Sequence, residues 1–290
     1  MPSLKDTAHR LCLRVLHGRE SWHRRHYRPS VYVVEGGNNV WFEEFGKTFE
    51  TLTLAALNGR FDGRCNLLLS GPSVQSIQRP ERLAAHDWIG VNGSPGLYGE
   101  RIPPMRIYHV NDSSYLRGSL DKFLRFAANA EFTIMDFRAM YELLRLASDR
   151  MPDTKIVVYD SWNLPLRLPV GKIQQLAKPA SHRGVYWSND PQLGLAPGGT
   201  VAYTAAQIAW HSGYRSLYMY GLDLTNTGRF YHEDSPQPQM LDKAYSDVIL
   251  PAFELMARET AGRFEVFNCN PDSRLPGETI PKLSSEASLS

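Results

Sequence analysis

Two short, widely separated segments of this chain carry residues suited to holding a phosphate. In the first, Leu67-Leu68-Leu69-Ser70-Gly71-Pro72-Ser73, an apolar strand enters a tight turn of small residues whose backbone N–H groups and hydroxyls read as free donors. The second, Pro197-Gly198-Gly199-Thr200, opens the apolar helix Val201-Ala202-Tyr203-Thr204-Ala205-Ala206-Gln207-Ile208-Ala209. The first turn of such a helix offers unpaired N–H groups at the positive end of its dipole, so an anion is expected there. Gly198 and Gly199 let the backbone approach a phosphate closely, and Thr200 serves as N-cap and hydroxyl donor. Neither corner is specific alone: the first lacks the Lys-Ser/Thr of a P-loop, and no spaced glycines mark a dinucleotide site. Two such corners on one sheet point to a nucleotide-linked donor substrate.

Around them lie side chains able to do the rest of a group transfer. Asn92 and Asn111 follow apolar runs and offer both donors and an acceptor, enough to read a base edge or a ribose, though asparagine is also an ordinary turn residue. A phenol at Tyr231 can hydrogen-bond charge developing on a leaving phosphate, and Arg229 adds a cation nearby. For the proton of an acceptor hydroxyl the candidate bases are His232, Glu233, Asp234 and Asp112; the histidine suits neutral pH, while a carboxylate serves when buried. The Glu233-Asp234 pair can alternatively hold a divalent ion, but no Asp-x-Asp pair is present, so no metal and no resident cofactor are expected.

The elements that must position these groups alternate. Strands are expected at 66–69, 88–91, 106–110, 132–135, 155–159, 216–220 and 264–267, each short, apolar and rich in branched or aromatic residues. Helical spacing of apolar residues occupies 137–147 (Met140, Leu143, Leu144, Ala147) and 249–257 (Phe253, Met256). The alternation predicts an α/β fold, a mainly parallel Rossmann-like sheet with helices on both faces, whose ligands bind at the carboxyl ends of the strands. Ser70, Asn92, Asn111 and Asp223 all fall at such ends. Residues 160–199, rich in proline and aromatics with no clear period, read as an irregular lid or acceptor-binding insertion. The α/β domain is expected over 63–290, with 1–62 as an N-terminal basic extension.

Taken in order, these corners and Val91-Asn92-Gly93-Ser94, Tyr108-His109-Val110-Asn111-Asp112, Tyr220-Gly221-Leu222-Asp223-Leu224-Thr225, Arg229-Phe230-Tyr231, Leu250-Pro251-Ala252-Phe253 and Asn270-Pro271-Asp272-Ser273 resemble the WaaZ-type lipopolysaccharide core Kdo transferases. The similarity extends more distantly to bacterial sialyltransferases that use a CMP-activated donor, and spans about residues 65 to 283. It implies a sialyltransferase-like glycosyltransferase that moves Kdo from CMP-Kdo to the inner core. It also implies donor binding by Ser70, Gly71, Pro72, Ser73, Asn92, Asn111, Gly199, Thr200, Asp223, Thr225 and Arg229. Tyr231 matches the later of two phosphate-contacting tyrosines in the sialyltransferase pattern, whereas Thr225 replaces the earlier one. At Ser70 the chain departs from that pattern, which has an asparagine and a further glycine in the first loop. Within the Kdo-transferase resemblance Glu233 matches and His232 does not, which ranks Glu233 and Asp112 above His232 as the base.

Composition sets wider bounds. A chain of 290 residues with 42% hydrophobic content buries a full core, and a net charge of +2 gives no global field for nucleic acid. Cys12, Cys65 and Cys269 are few, odd in number and far apart, as expected of reduced structural thiols in a cytoplasmic protein. No apolar run reaches the roughly 20 residues of a spanning helix, and the polar, basic start lacks the apolar core of a signal peptide. That start is dense in Arg and His up to Arg28, with Leu11, Leu13, Val15 and Leu16 interspersed. It reads either as a solvated tail or as a segment for an anionic inner-membrane surface, where a lipid-linked lipopolysaccharide core acceptor would be met. Other readings of the same sheet are another CMP-sugar transferase, a pterin pyrophosphokinase-like enzyme, and a non-catalytic nucleotide-sugar-binding factor.

Overall fold

The computed structural model describes residues 31–44, 46–162, 170–231 and 241–289, with positions 8, 11, 12 and 15 near the start of the chain. Twelve strands occur among the described residues: β1 (Val31–Gly36), β2 (Asn39–Glu44), β3 (Lys47–Thr53), β4 (Arg64–Leu68), β5 (Asp87–Val91), β6 (Met105–Val110), β7 (Ala130–Asp136), β8 (Lys155–Tyr159), β9 (Ala180–His182), β10 (Val185–Trp187), β11 (Ser216–Tyr220) and β12 (Glu265–Asn268). Helices are α1 (Ser113–Gly118), α2 (Leu120–Ala127), α3 (Phe137–Ala147), α4 (Val170–Ala177), α5 (Val201–His211), α6 (Leu241–Ala244), α7 (Leu250–Thr260) and α8 (Ser285–Leu289). A π-helical turn, Tyr245–Ile249, joins α6 to α7.

Ten strands form one sheet in the order β1-β2-β3-β8-β7-β6-β5-β4-β11-β12. From β3 to β12 every pairing is parallel, while β1, β2 and β3 form an antiparallel meander at one edge. Parallel strands buried on both faces need apolar residues at consecutive positions, and the strands supply them in alternation. Leu67, Ile89, Ile107, Ile134 and Val157 face the core under α5 and α7. Their neighbours Leu68, Trp88, Tyr108, Met135 and Val158 face the core under α1, α2 and α3. The α/β, mainly parallel architecture expected from the alternation is the one observed. The sheet runs outward from β4 to β8, then returns to add β11 on the other side of β4, so strand order reverses between β4 and β11. At such a switch point the loops after adjacent strands diverge and leave a crevice.

Three details differ from the sequence reading. Residues 31–53, assigned there to a basic extension, join the sheet through parallel pairing of β3 with β8 at Leu52↔Val157 and Thr53↔Val158. Val40 and Phe42 are fully buried in the core, so this meander is part of the α/β domain, not an appendage to it. The last strand begins one residue later than expected, at Glu265. In the region 160–199, residues 163–169 lie outside the described residues. Beyond them, the hairpin β9–β10 folds against α7 and α4 lies by the turn at Pro191–Leu193, with Trp187 fully buried beside Tyr203 and Trp210. Cys65 and Cys269 are free and buried, and burial pushes both thiols up in pKa; Cys12 is free and exposed.

The meander can be tested through Phe42, whose ring lies 5.6 Å from Phe137 and 5.7 Å from Tyr141. Phe42→Ala should lower the free energy of unfolding by about 3–5 kcal/mol, measured by urea denaturation. A change under about 1 kcal/mol would place the meander outside the cooperative core.

Candidate functional site

A cleft of about 320 Å³ opens at the switch point, over the carboxyl ends of the central strands. The loop after β4 contributes Ser70, Gly71 and Pro72; the loops after β5 and β6 contribute Asn92, Asn111 and Asp112. The start of α5 contributes Gly199, Thr200, Val201 and Ala202, and the segment after β11 contributes Asp223, Thr225 and Arg229. Every donor-site residue singled out in the sequence lines this cleft except Ser73. Tyr231 is not in its wall either, and His232, Glu233 and Asp234 lie outside the described residues.

The first corner is not the open phosphate turn that its composition suggests. Asp223, nearly buried, reaches across from β11: Ser73 N–H donates to its Oδ2 at 2.9 Å, the Ser73 hydroxyl donates to Oδ1, and Asn270 Nδ2 donates to Oδ1 at 2.7 Å. Gly71 N–H donates to Gly221 O at 3.1 Å, and Pro72 has no N–H to give. The turn is thus an anion site filled by the chain's own carboxylate, with hydrogen bonds strengthened by the ionised acceptor. Glycine is required at 71, because a Cβ there would stand 2.5 Å from Gly221 O and 2.6 Å from the Asp223 carboxyl. In the sequence Asn270 stands only within a motif, with no role assigned; its partner lies 47 residues away and no local signal joins them.

The second corner is open as expected. Thr200 has the extended backbone of an N-cap, and its Oγ1 accepts from Tyr203 N–H at 3.3 Å. That leaves the first-turn N–H groups of Val201 and Ala202, both in the cleft wall, at the positive end of an eleven-residue helix. Gly199 holds φ +77°, and a Cβ on it would come within 2.8 Å of Ile249 Cγ1, so the π-helical turn before α7 sets how the glycine pair enters the helix. Across the cleft, Asn92 stands at φ +47° and 7% exposure, with a buried Oδ1 that has no hydrogen-bond partner. An orphaned buried carbonyl costs about 1–3 kcal/mol unless a ligand or water satisfies it. Such a cost is tolerated where a ligand is bound.

The remaining groups are partly engaged. Asp112 caps α1: its Oδ1 accepts from Ser114 N–H at 2.8 Å and from the Ser114 hydroxyl at 2.5 Å, while its carboxyl remains in the cleft wall. Tyr231 is half-buried with its ring against Gly93, where any Cβ would collide with it. Its hydroxyl accepts from Arg229 Nη1 at 3.3 Å, so the phenol stands behind the one cationic side chain among the described lining residues. Among the described residues no group of three or more His, Cys, Asp or Glu is placed to hold a metal ion. Nor is any helix there long and apolar enough to cross a membrane.

A sequence profile for the family described as 3-deoxy-D-manno-octulosonic acid transferase WaaZ matches residues 172–286. The chain is 28% identical over 237 residues to a probable 3-deoxy-manno-octulosonic acid transferase of Salmonella typhimurium, covering 76% of this chain and 86% of that one. It is 27% identical over 231 residues to the Escherichia coli K12 protein of the same description, covering 74% and 80%. Among solved structures, the Campylobacter jejuni sialyltransferase CstII, in complex with cytidine-5'-monophosphate, superposes with a TM-score of 0.43 at 15% identity, covering 76% of this chain and 84% of that one. The MAf glycosyltransferase of Magnetospirillum magneticum AMB-1 superposes with a TM-score of 0.49 at 16% identity, covering 81% and 38%. The class that the sequence comparisons support is a glycosyltransferase. Within it, the resemblance to the WaaZ-type Kdo transferases that the ordered motifs carry is borne out.

Two buried carboxylates, Asp223 at the site and Asp136 away from its wall, set expected outcomes. Asp223→Ala should cost about 2–3 kcal/mol, because Ser73 and Asn270 lose an ionised partner inside a buried corner. Chemical denaturation reads this directly. Asp136, buried at the end of β7, has its pKa raised by burial from an ordinary 3.8 to about 6. The folded state therefore holds this proton more tightly than the unfolded chain, and stability falls as pH rises between about 4 and 6. Asp136→Asn keeps a side chain able to accept from Ala139 N–H and should stabilise the protein at pH 7.5 by up to about 2–3 kcal/mol, a gain that vanishes near pH 4. A gain independent of pH would contradict this origin.

Proposed function

We propose that this chain transfers Kdo from CMP-Kdo to the inner core of lipopolysaccharide, without a metal. The observation that carries the proposal is the cleft at the switch point, whose wall holds both the open N-terminus of α5 and Asn92 with its unpartnered Oδ1. One helix N-terminus matches the single phosphate of a CMP-activated sugar. The other corner is filled by the Asp223 carboxylate, whose charge disfavours a second phosphate, and this argues against a pyrophosphate-linked donor or a triphosphate. The similarity to Kdo transferases supplies the sugar.

In the reaction, an acceptor hydroxyl oxygen attacks the anomeric carbon of Kdo, the bond from that carbon to the phosphate oxygen breaks, and CMP leaves with the electron pair. The acceptor proton passes to a base, for which Asp112 stands in the cleft wall and Glu233 and His232 remain candidates. The N–H groups of Val201 and Ala202, the Thr200 hydroxyl and Arg229 surround the growing phosphate charge, and Tyr231 supports it through Arg229. Ser70, Gly71 and Thr225 complete the donor wall. The acceptor is lipid-linked, and the basic segment up to Arg28 would hold the protein on the anionic cytoplasmic leaflet, each Lys or Arg near the surface contributing about 1 kcal/mol.

CMP should raise the melting temperature without added metal, stabilising by about 2.7 kcal/mol at a hundredfold excess over its dissociation constant. A response to ATP-Mg²⁺ but not to CMP would favour a pyrophosphokinase-like enzyme and overturn the proposal. Tyr231→Phe should lower turnover by about one to three orders of magnitude with CMP affinity nearly intact. Full turnover in that variant would remove Tyr231 from the mechanism. For the membrane role, the full chain should co-sediment with anionic vesicles at low salt and be released at high salt, whereas a chain lacking residues 1–28 should stay in the supernatant.

A further inference from the structure

Beneath the cleft lies a buried polar relay that no step of the proposed transfer uses. His109, fully buried on β6, has Nδ1 3.2 Å from Ile134 O and Nε2 3.0 Å from Thr204 Oγ1. A carbonyl only accepts, so Nδ1 carries the ring proton and Nε2 presents its lone pair. Burial favours this neutral ring, lowering its pKa to about 4. The single proton of the Thr204 hydroxyl can go to Val201 O, 3.0 Å away, to Nε2, or to the Tyr159 hydroxyl oxygen, which can instead donate its own proton to Thr204. The carbonyl already has helical partners within α5, whereas Nε2 in its sealed pocket would otherwise go unsatisfied. With that proton on Nε2, the Thr204 oxygen turns its lone pairs to Asn111 Nδ2, 3.5 Å away. The Tyr159 hydroxyl, also buried, interacts with both Asn111 and Thr204.

We infer that His109, acting through Thr204, is a positioning residue that fixes the Asn111 amide with its NH₂ turned inward and its Oδ1 facing the cleft. Asn92, another residue of the same wall, has a buried Oδ1 with no hydrogen-bond partner. The donor wall thus presents two acceptors and selects a nucleotide through O–H or N–H donors, such as ribose hydroxyls or an exocyclic amine. Thr204 also stands on the first turn of α5, so the relay ties the orientation of a nucleoside-reading amide to the helix whose N-terminus takes the phosphate. This rests on the reading of the cleft as a CMP-sugar site.

A double-mutant cycle on CMP affinity, read by calorimetry at pH 7, tests it. Thr204→Val should weaken CMP about tenfold in the otherwise unchanged chain and have no further effect in an Asn111→Ala background, because its influence runs through that amide. Thr204→Ser, which keeps the hydroxyl, should retain the affinity. Equal losses in both backgrounds would mean that valine merely shifts the helix, and no loss in either would mean that the amide is set by other groups; both results overturn the relay. Failure of the unsubstituted chain to bind CMP would instead overturn the functional reading. Nitrogen NMR of the unliganded protein keeps the relay testable in that event: His109 should be neutral with its proton on Nδ1, and a proton on Nε2 would refute it.

Discussion

The carboxylate of Asp223 is the interaction on which the functional end of this molecule depends. At the switch point the loops after β4 and β11 run on past their paired strands, tied by Gly71 N–H to Gly221 O, and a crevice whose walls are not held further binds nothing well. Here one ionised side chain gathers the Ser73 N–H and hydroxyl from one loop and the Asn270 amide from a third, after β12. Arg274 N–H donating to Asp223 O at 3.0 Å, and the Ser273 hydroxyl donating to Leu222 O at 2.5 Å, add main-chain ties to the same junction. The walls of the cleft are thereby set before any ligand arrives, and its binding free energy is not spent on ordering them.

The same carboxylate gives the cleft its polarity. A turn of small residues after a parallel strand is a natural anion site, and its occupation by Asp223 leaves the N-terminus of α5 as the place where a ligand's negative charge is welcome. Arg229, held near the Tyr231 hydroxyl, lies on the wall after β11, and the bare amide oxygens favour neutral donor groups. On the proposed reading, a cleft so divided would discriminate by charge number as well as shape: one phosphate would find one dipole, and a second would meet a carboxylate.

Much of this was legible in the sequence, and the reason is local. The strands 155–159 and 216–220 and the helix 137–147 coincide with observed elements because their signals, an apolar run for a doubly covered strand and a 3.6-residue period for a one-faced helix, are contained within the segment. Thr200 capping α5 was readable for the same reason. The membership of residues 31–53 was not, since what makes them part of the domain is the parallel pairing of Thr53 with Val158, a contact across 105 residues of chain that the short alternation around Val40 and Phe42 does not specify. The destination of Asp223 was equally hidden. An aspartate after a strand looks alike whether it faces a ligand or a neighbouring loop, and Ser73 is 150 residues distant.

The family match over residues 172–286 covers the α5 corner, Asp223, Arg229 and Asn270, while Asn92 and Asn111 come from the half before it. On the proposed reading, the two halves of the chain would contribute different parts of one operation. The later half carries the groups that meet charge: the helix dipole, the arginine and the carboxylate that fills the rival corner. The earlier half carries neutral amides on the loops after β5 and β6, where hydrogen-bond direction rather than charge decides what is recognised. His109 bonding to Thr204 and Ser73 bonding to Asp223 are two of the side-chain contacts that lock the halves together, in addition to the pairing of β4 with β11. Both are buried or nearly so, where a lost partner leaves an unsatisfied polar group, and that cost keeps the amides in register with the phosphate corner.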